Sequence, residues 1–125
     1  MKKLDFSNRF HIVRPELLQE YLAFGSSPFI PEDADEYCAY RPVVFSQEPQ
    51  TDDHGTFWKM NFSATVTDSS VMKYNQVRAY IIFHMSDGTI RLLGTAHEVP
   101  LVTITPHAGA LSVSVIFDSP TPASL

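Results

Sequence analysis

The stretch "TFWKMNFSATVTD", Thr56 to Asp68, alternates apolar and polar residues with a period of two. Its odd positions from Lys59 to Thr67 are polar, and its even positions from Trp58 to Val66 are apolar: Trp58, Met60, Phe62, Ala64 and Val66. Because successive side chains of a β-strand point to opposite faces, the pattern predicts a long strand with one buried and one solvated face. Such strands are typical of antiparallel sheets that cover a core with one face.

A β-hairpin is predicted further along the chain. The segment "QVRAYIIFHMSDG", Gln76 to Gly88, again alternates with a period of two, and "TIRLLGT", Thr89 to Thr95, is the return strand. Between these strands, Ser86, Asp87 and Gly88 supply the chemistry of a tight turn, because glycine adopts positive φ angles without strain.

Four residues of this region are assigned structural roles. Asp87 and Gly88 are expected to fix the register of the hairpin, Gly94 to permit a bend or bulge, and Pro100 to block slippage of the strand beyond it. No catalytic group stands out nearby, so the region is interpreted as architecture.

One face of the hairpin is more apolar than a single core requires. That face is predicted to carry Tyr80, Ile82, His84 and Leu93. A surplus apolar surface on a small protein often marks an interface, so we hypothesise that these four residues mediate self-association. The alternative is a three-layer fold in which the predicted helix covers this face.

The remaining segments complete the predicted fold. Further strands are expected within residues 4–13, 40–46, 100–105 and 110–118, and a short helix within "RPELLQEYLAFG", Arg14 to Gly25. Residues 118–125 are predicted to form an extended tail, because they contain two prolines and no periodic apolar residues. The sequence therefore predicts one mainly β domain over residues 1–125. We expect a β-sandwich or partly open barrel of about seven mostly antiparallel strands, with one short N-terminal helix.

Composition argues against several classes of partner and location. The 125 residues include nine basic and fourteen acidic side chains, giving a net charge of −5, and the basic residues are scattered, which argues against nucleic-acid binding. No apolar run approaches the roughly 20 residues of a membrane helix. The start "MKKLDFSNRFHIVRPE" lacks the apolar core of a signal peptide, so synthesis in the cytoplasm is expected. A single cysteine, Cys38, excludes an intramolecular disulfide and is expected to be partly buried.

Motifs for catalysis or metal binding do not stand out. None of the five histidines has zinc-binding spacing, neither acidic segment (Glu32 to Glu36, Thr51 to Gly55) has the EF-hand pattern, and no nucleophile motif is present. The sequence therefore predicts no enzyme activity, cofactor or metal site. An alternative function is a module that binds a carbohydrate or another small ligand. It would use the acidic loops and an aromatic platform of Tyr40, Phe57, Trp58, Tyr74 and Tyr80.

The segments "MSDGTIRLLGTAHEVP", Met85 to Pro100, and "ALSVSVIFDSPTPA", Ala110 to Ala123, resemble the C-terminal half of small β-rich structural proteins of tailed phages and prophages. The resemblance covers roughly Thr56 to Ala123. It implies a non-enzymatic neck, tail or head-tail joining component that forms rings or tubes with itself or with other virion proteins. It also implies a final location in the virion. It does not assign a functional role to any residue of this chain.

Overall fold

Two antiparallel sheets form a β-sandwich in the computed structural model, which describes residues 6–25, 29–40, 43–53, 55–85, 88–95 and 98–119. Nine strands lie within those residues, together with one α-helix and one 3₁₀ helix, Ser69–Tyr74. The helix α1 spans Pro15–Ala23. The strands are β1 Phe6–Val13, β2 Asp35–Cys38, β3 Val44–Asp52, β4 Gly55–Val66, β5 Val77–Arg78, β6 Tyr80–Met85, β7 Ile90–Leu93, β8 Leu101–His107 and β9 Ala110–Ser119. Sheet 1 has the order β2-β1-β6-β7, and sheet 2 has the order β3-β4-β9-β8-β5.

The predicted central strand is confirmed as β4. Its even positions Met60, Phe62, Ala64 and Val66 are buried, and the odd positions between them are exposed. Strand β4 pairs with β3 on one side and with β9 on the other, so its buried face points into the space between the sheets. The ring of Phe62 meets the rings of Phe10 at 5.4 Å and Phe83 at 5.5 Å, which joins sheet 2 to sheet 1.

Helix α1 covers the outer face of sheet 1, as in the three-layer alternative. Pro15 at its first turn suits a helix start, since the missing N–H has no intrahelical partner there. Leu18 is fully buried and packs in a second apolar cluster with Val13, Tyr80, Ile82 and Leu92. Sheet 1 therefore has apolar residues on the part of its outer face that α1 covers as well as on the face that packs against sheet 2.

The segment predicted as one strand from Val77 to Met85 is divided between the two sheets. Strand β5 pairs with β8 in sheet 2, whereas β6 pairs with β1 and β7 in sheet 1. Ala79 lies between them and donates its N–H to the carbonyl of Pro100 at 3.0 Å. Strand β2 also forms where the sequence predicted an acidic loop, so the described residues hold nine strands rather than about seven.

The glycines of the hairpin region have left-handed backbones. Gly88 has a φ of +91° and Gly94 a φ of +125°. A Cβ at Gly94 would lie 2.6 Å from Cδ1 of Tyr80 and 2.9 Å from Cδ of Pro100, so this position requires glycine for space as well as for φ. Asp87 lies outside the described residues. Of the predicted tail 118–125, Asp118 and Ser119 end β9, and residues 120–125 also lie outside the described part.

Candidate functional site: an outer cleft and a histidine pair

The predicted interface on the hairpin is not on the surface of the folded chain. Tyr80, Ile82 and Leu93 are each 0% exposed. Tyr80 and Ile82 lie beneath α1, and Leu93 faces the opposite way, into the core between the sheets. The prediction was wrong for these three residues, because the chain's own helix and second sheet cover them. Only His84, the fourth, is partly exposed.

His84 instead forms a pair with His11. Strands β1 and β6 are neighbours, and they place Nε2 of His84 3.2 Å from Nδ1 of His11. The other ring nitrogen of His11, Nε2, lies 3.6 Å from a carboxylate oxygen of Glu36 in β2. Arg9 of β1 holds the second oxygen of that carboxylate at 2.7 Å. The four side chains form a continuous polar row across three strands of sheet 1.

Burial keeps the imidazoles of this row neutral. It lowers the pKa of His11, whose side chain is only 8% exposed, against the opposing effect of the Glu36 charge. Burial also lowers the pKa of His84, and the nearby Arg9 charge acts in the same direction. Arg9 in turn lowers the pKa of Glu36 through its hydrogen bond, so the carboxylate is ionised at neutral pH. The row therefore presents two neutral imidazoles beside a fixed negative charge.

A cleft of about 350 Å³ opens where β2 meets the 3₁₀ helix. It is lined by Arg14, Asp33, Asp35, Lys73, Tyr74 and Val77. Nζ of Lys73 lies 2.8 Å from Oδ2 of Asp35, and the Tyr74 hydroxyl donates to the same oxygen. The hydrogen bonds from Lys73 and Tyr74 lower the pKa of Asp35, whereas burial and the Asp35 hydrogen bond raise the pKa of Tyr74. These contacts tie sheet 1 to the segment that leads into sheet 2.

An exposed apolar surface lies at the end of α1 and in the segment before β2. This helix-end surface consists of Tyr21, Phe24, Phe29 and Ile30, with exposed fractions of 54%, 81%, 36% and 36%. The rings of Tyr21 and Phe29 meet edge to face at 5.2 Å. Exposed carboxylates of Glu20, Glu32 and Asp33 lie close by in the chain, and Asp33 also lines the cleft.

A second exposed apolar surface reaches the same cleft from the side of sheet 2. This aliphatic surface consists of Met72 and Val77, which are 40% and 37% exposed. Two basic residues accompany it: Lys73 follows Met72 in the 3₁₀ helix, and Arg14 lines the cleft together with Val77. Val77 and Lys73 line the cleft. The cleft therefore has an acidic residue from the segment that follows the helix-end surface, Asp33, and basic residues beside the aliphatic surface.

The alternative ligand sites do not assemble as the sequence suggested. Tyr74 and Tyr80 of the proposed aromatic platform are buried, Phe57 and Trp58 are half-buried, and Tyr40 alone is well exposed. In the first acidic segment, Asp35 binds Lys73 and Glu36 binds Arg9. No cluster of three or more His, Cys, Asp or Glu side chains arranged for a metal occurs among the described residues.

Two further predictions concern Cys38 and the membrane. Cys38 is exposed on the edge strand β2 rather than partly buried, because its side chain points away from the core. Within the described residues, no helix combines the length and the apolar character that crossing a membrane requires. The histidine pair was not predicted, since its members lie 73 residues apart and no local spacing reveals their contact.

Comparisons of the chain with protein-family models, with curated proteins and with solved structures found no match.

Proposed function

We propose that this chain is a non-enzymatic assembly protein that acts by self-association, and that the contact lies at the outer cleft rather than at the hairpin. The resemblance to structural proteins of tailed phages and prophages supports the proposal that such a protein works in a virion or in a structure derived from one. Its partners are further copies of itself or other virion proteins.

The observation that supports self-association is the exposure of the helix-end surface. Four large apolar side chains are exposed there; the rings of Tyr21 and Phe29 are in contact, and Phe24 is the most exposed of the four at 81%. Aromatic side chains of this kind are enriched in the buried centres of protein interfaces. Burying one such side chain fully stabilises a complex by about 1.5–3 kcal/mol. The cost of association is about 4–15 kcal/mol, so a single copy of the surface is marginal as an interface.

Two-fold symmetry supplies the rest of the binding free energy that a stable dimer needs. In a two-fold dimer the same pair of surfaces is used twice, because residue i contacts j and j contacts i. If the axis passes through the cleft, the helix-end surface of one chain lies on the aliphatic surface of the other. The carboxylates near the first surface then approach Lys73 and Arg14 beside the second. Opposite charges in this arrangement offset the repulsion expected between two chains of net charge −5.

The polar groups of the cleft favour a structural role over a catalytic one. Asp35, Lys73 and Tyr74 are bonded to one another, which holds the 3₁₀ helix against β2. A general acid or base needs a titratable group directed toward a substrate, and in this cleft the Asp35 carboxylate is directed toward its own neighbours.

A charge-reversal experiment tests this arrangement. Glu32→Lys and Arg14→Glu each place like charges across the proposed contact, so each variant alone should associate more weakly than the wild type. Mixing the two variants pairs opposite charges at both contacts and should restore association, as should the double variant. Association that is unchanged in both single variants, or that mixing fails to restore, would contradict the proposed pairing of surfaces.

A further inference from the structure

We propose that His11 and His84 form a two-histidine binding site for a divalent transition-metal ion on the outer face of sheet 1. The proposal is independent of self-association, because neither residue belongs to the surfaces that flank the cleft.

The distance between the two ring nitrogens suits a shared metal ion. Nδ1 of His11 and Nε2 of His84 are 3.2 Å apart. Metal–nitrogen bonds are about 2.0–2.1 Å long, so a tetrahedral ion holds two ligand nitrogens about 3.3 Å apart. The ion would take the place of the proton between the two nitrogens, which would move through solvent to Nδ1 of His84, so that both rings stay neutral and each needs only to tilt. The backbones of β1 and β6 would keep their positions.

Glu36 prepares His11 for this role. Its carboxylate lies 3.6 Å from Nε2 of His11 and favours the tautomer with the proton on that nitrogen. The lone pair of Nδ1 is then directed toward His84. Metal-binding histidines commonly have a carboxylate on the nitrogen that does not bind the metal, which fixes the tautomer and raises the basicity of the ligand. Arg9 fixes the carboxylate in turn, at 2.7 Å.

The position of the pair provides both rigidity and access. His11 lies on β1 and His84 on β6, two adjacent strands in the middle of sheet 1, and ligands on strands are held more precisely than ligands on loops. His11 is buried, whereas His84 is partly exposed, so an ion can approach from the solvent side. Water would complete the coordination, because the described residues provide no cluster of three metal-binding side chains.

The chemistry of the ligands predicts which ions bind. Imidazole suits Cu²⁺, Ni²⁺ and Zn²⁺, whereas Mg²⁺ and Ca²⁺ prefer oxygen ligands. For a given nitrogen site the affinity rises from Co²⁺ to Ni²⁺ to Cu²⁺ and falls again at Zn²⁺. We therefore expect one ion per chain, tightest for Cu²⁺, and no binding of Mg²⁺.

Calorimetric titration of the full chain with each chloride salt tests the site. His84→Gln keeps a hydrogen-bond donor for His11 but removes a metal ligand, so it should weaken Ni²⁺ and Zn²⁺ binding at least tenfold while the variant stays folded. His107→Ala and Cys38→Ser remove other exposed ligands and should leave the affinity unchanged. Imidazole resonances of His11 and His84 should be the ones that shift with Zn²⁺. Affinity that is unaffected by His84→Gln, or no binding at millimolar Ni²⁺, would overturn the proposal.

Discussion

Tyr80 and Gly94 are in such close contact that no side chain fits between them. A Cβ at Gly94 would lie 2.6 Å from Cδ1 of the tyrosine ring, and the Tyr80 hydroxyl donates to the carbonyl of Thr95 at 2.8 Å. The ring is thus fixed against the backbone just beyond β7. This contact forms one end of the apolar cluster beneath α1, just after the last strand of the hairpin.

Replacing Gly94 should therefore destabilise the fold strongly. Gly94→Ala adds about 1–2 kcal/mol of backbone strain at positive φ and about 1–3 kcal/mol of overpacking against Tyr80. We expect a loss of about 2–5 kcal/mol in the free energy of unfolding, measured by urea denaturation. Gly109→Ala is the matched control, since Gly109 has a φ of +82° with open space around it and incurs the strain alone. Equal losses in the two variants would show that the Tyr80 contact contributes nothing.

Phe62 should be the most sensitive position of the core between the sheets. It is 1% exposed and contacts aromatic rings of both β1 and β6. Truncation to alanine leaves a cavity, so Phe62→Ala should cost about 3–5 kcal/mol in the free energy of unfolding. The neighbouring Asn61→Ala, on the exposed face of the same strand, should change it by less than about 0.5 kcal/mol. A small loss at Phe62 would contradict the assignment of the two faces.

The Asp35 cluster should make stability depend on acidic pH. Its hydrogen bonds with Lys73 and Tyr74 lower the pKa of Asp35 in the folded state below the unfolded value. The stabilisation is therefore complete above the unfolded pKa and is lost as the pH falls through the folded pKa. Asp35→Asn should flatten the pH dependence of the free energy of unfolding in this acidic range. The effect should be modest because the Asp35 side chain is 39% exposed. An unchanged slope in the variant would contradict this account.

The main elements of the fold could be predicted because their patterns are local. The alternation from Trp58 to Val66 defines β4, and the spacing of Leu17, Leu18 and Leu22 after Pro15 defines α1. The division at Ala79 could not be predicted, because a period of two does not reveal which sheet a strand joins. The apolar face of Tyr80 and Ile82 suggested an interface, because a local pattern does not distinguish a face that the chain's own helix covers from one that binds a partner.

The two candidate sites depend on contacts between distant segments. His11 meets His84 only because β1 and β6 are neighbours in sheet 1. The cleft forms only where the segment after α1 returns beside the 3₁₀ helix, which brings Asp35 to Lys73. The exposure of Phe24 likewise depends on where α1 ends on the sheet. None of these relationships has a signature in local spacing.

Sedimentation equilibrium of the chain over a wide concentration range tests the central claim most directly. The wild type should move from monomer to dimer mass with rising concentration. Phe24→Ser should weaken that transition at least tenfold, which corresponds to about 1.4 kcal/mol. Tyr40→Ser should leave it unchanged, because Tyr40 is an aromatic residue outside both surfaces that is itself 66% exposed. A monomer at every concentration, or equal effects of the two substitutions, would contradict self-association through the helix-end surface.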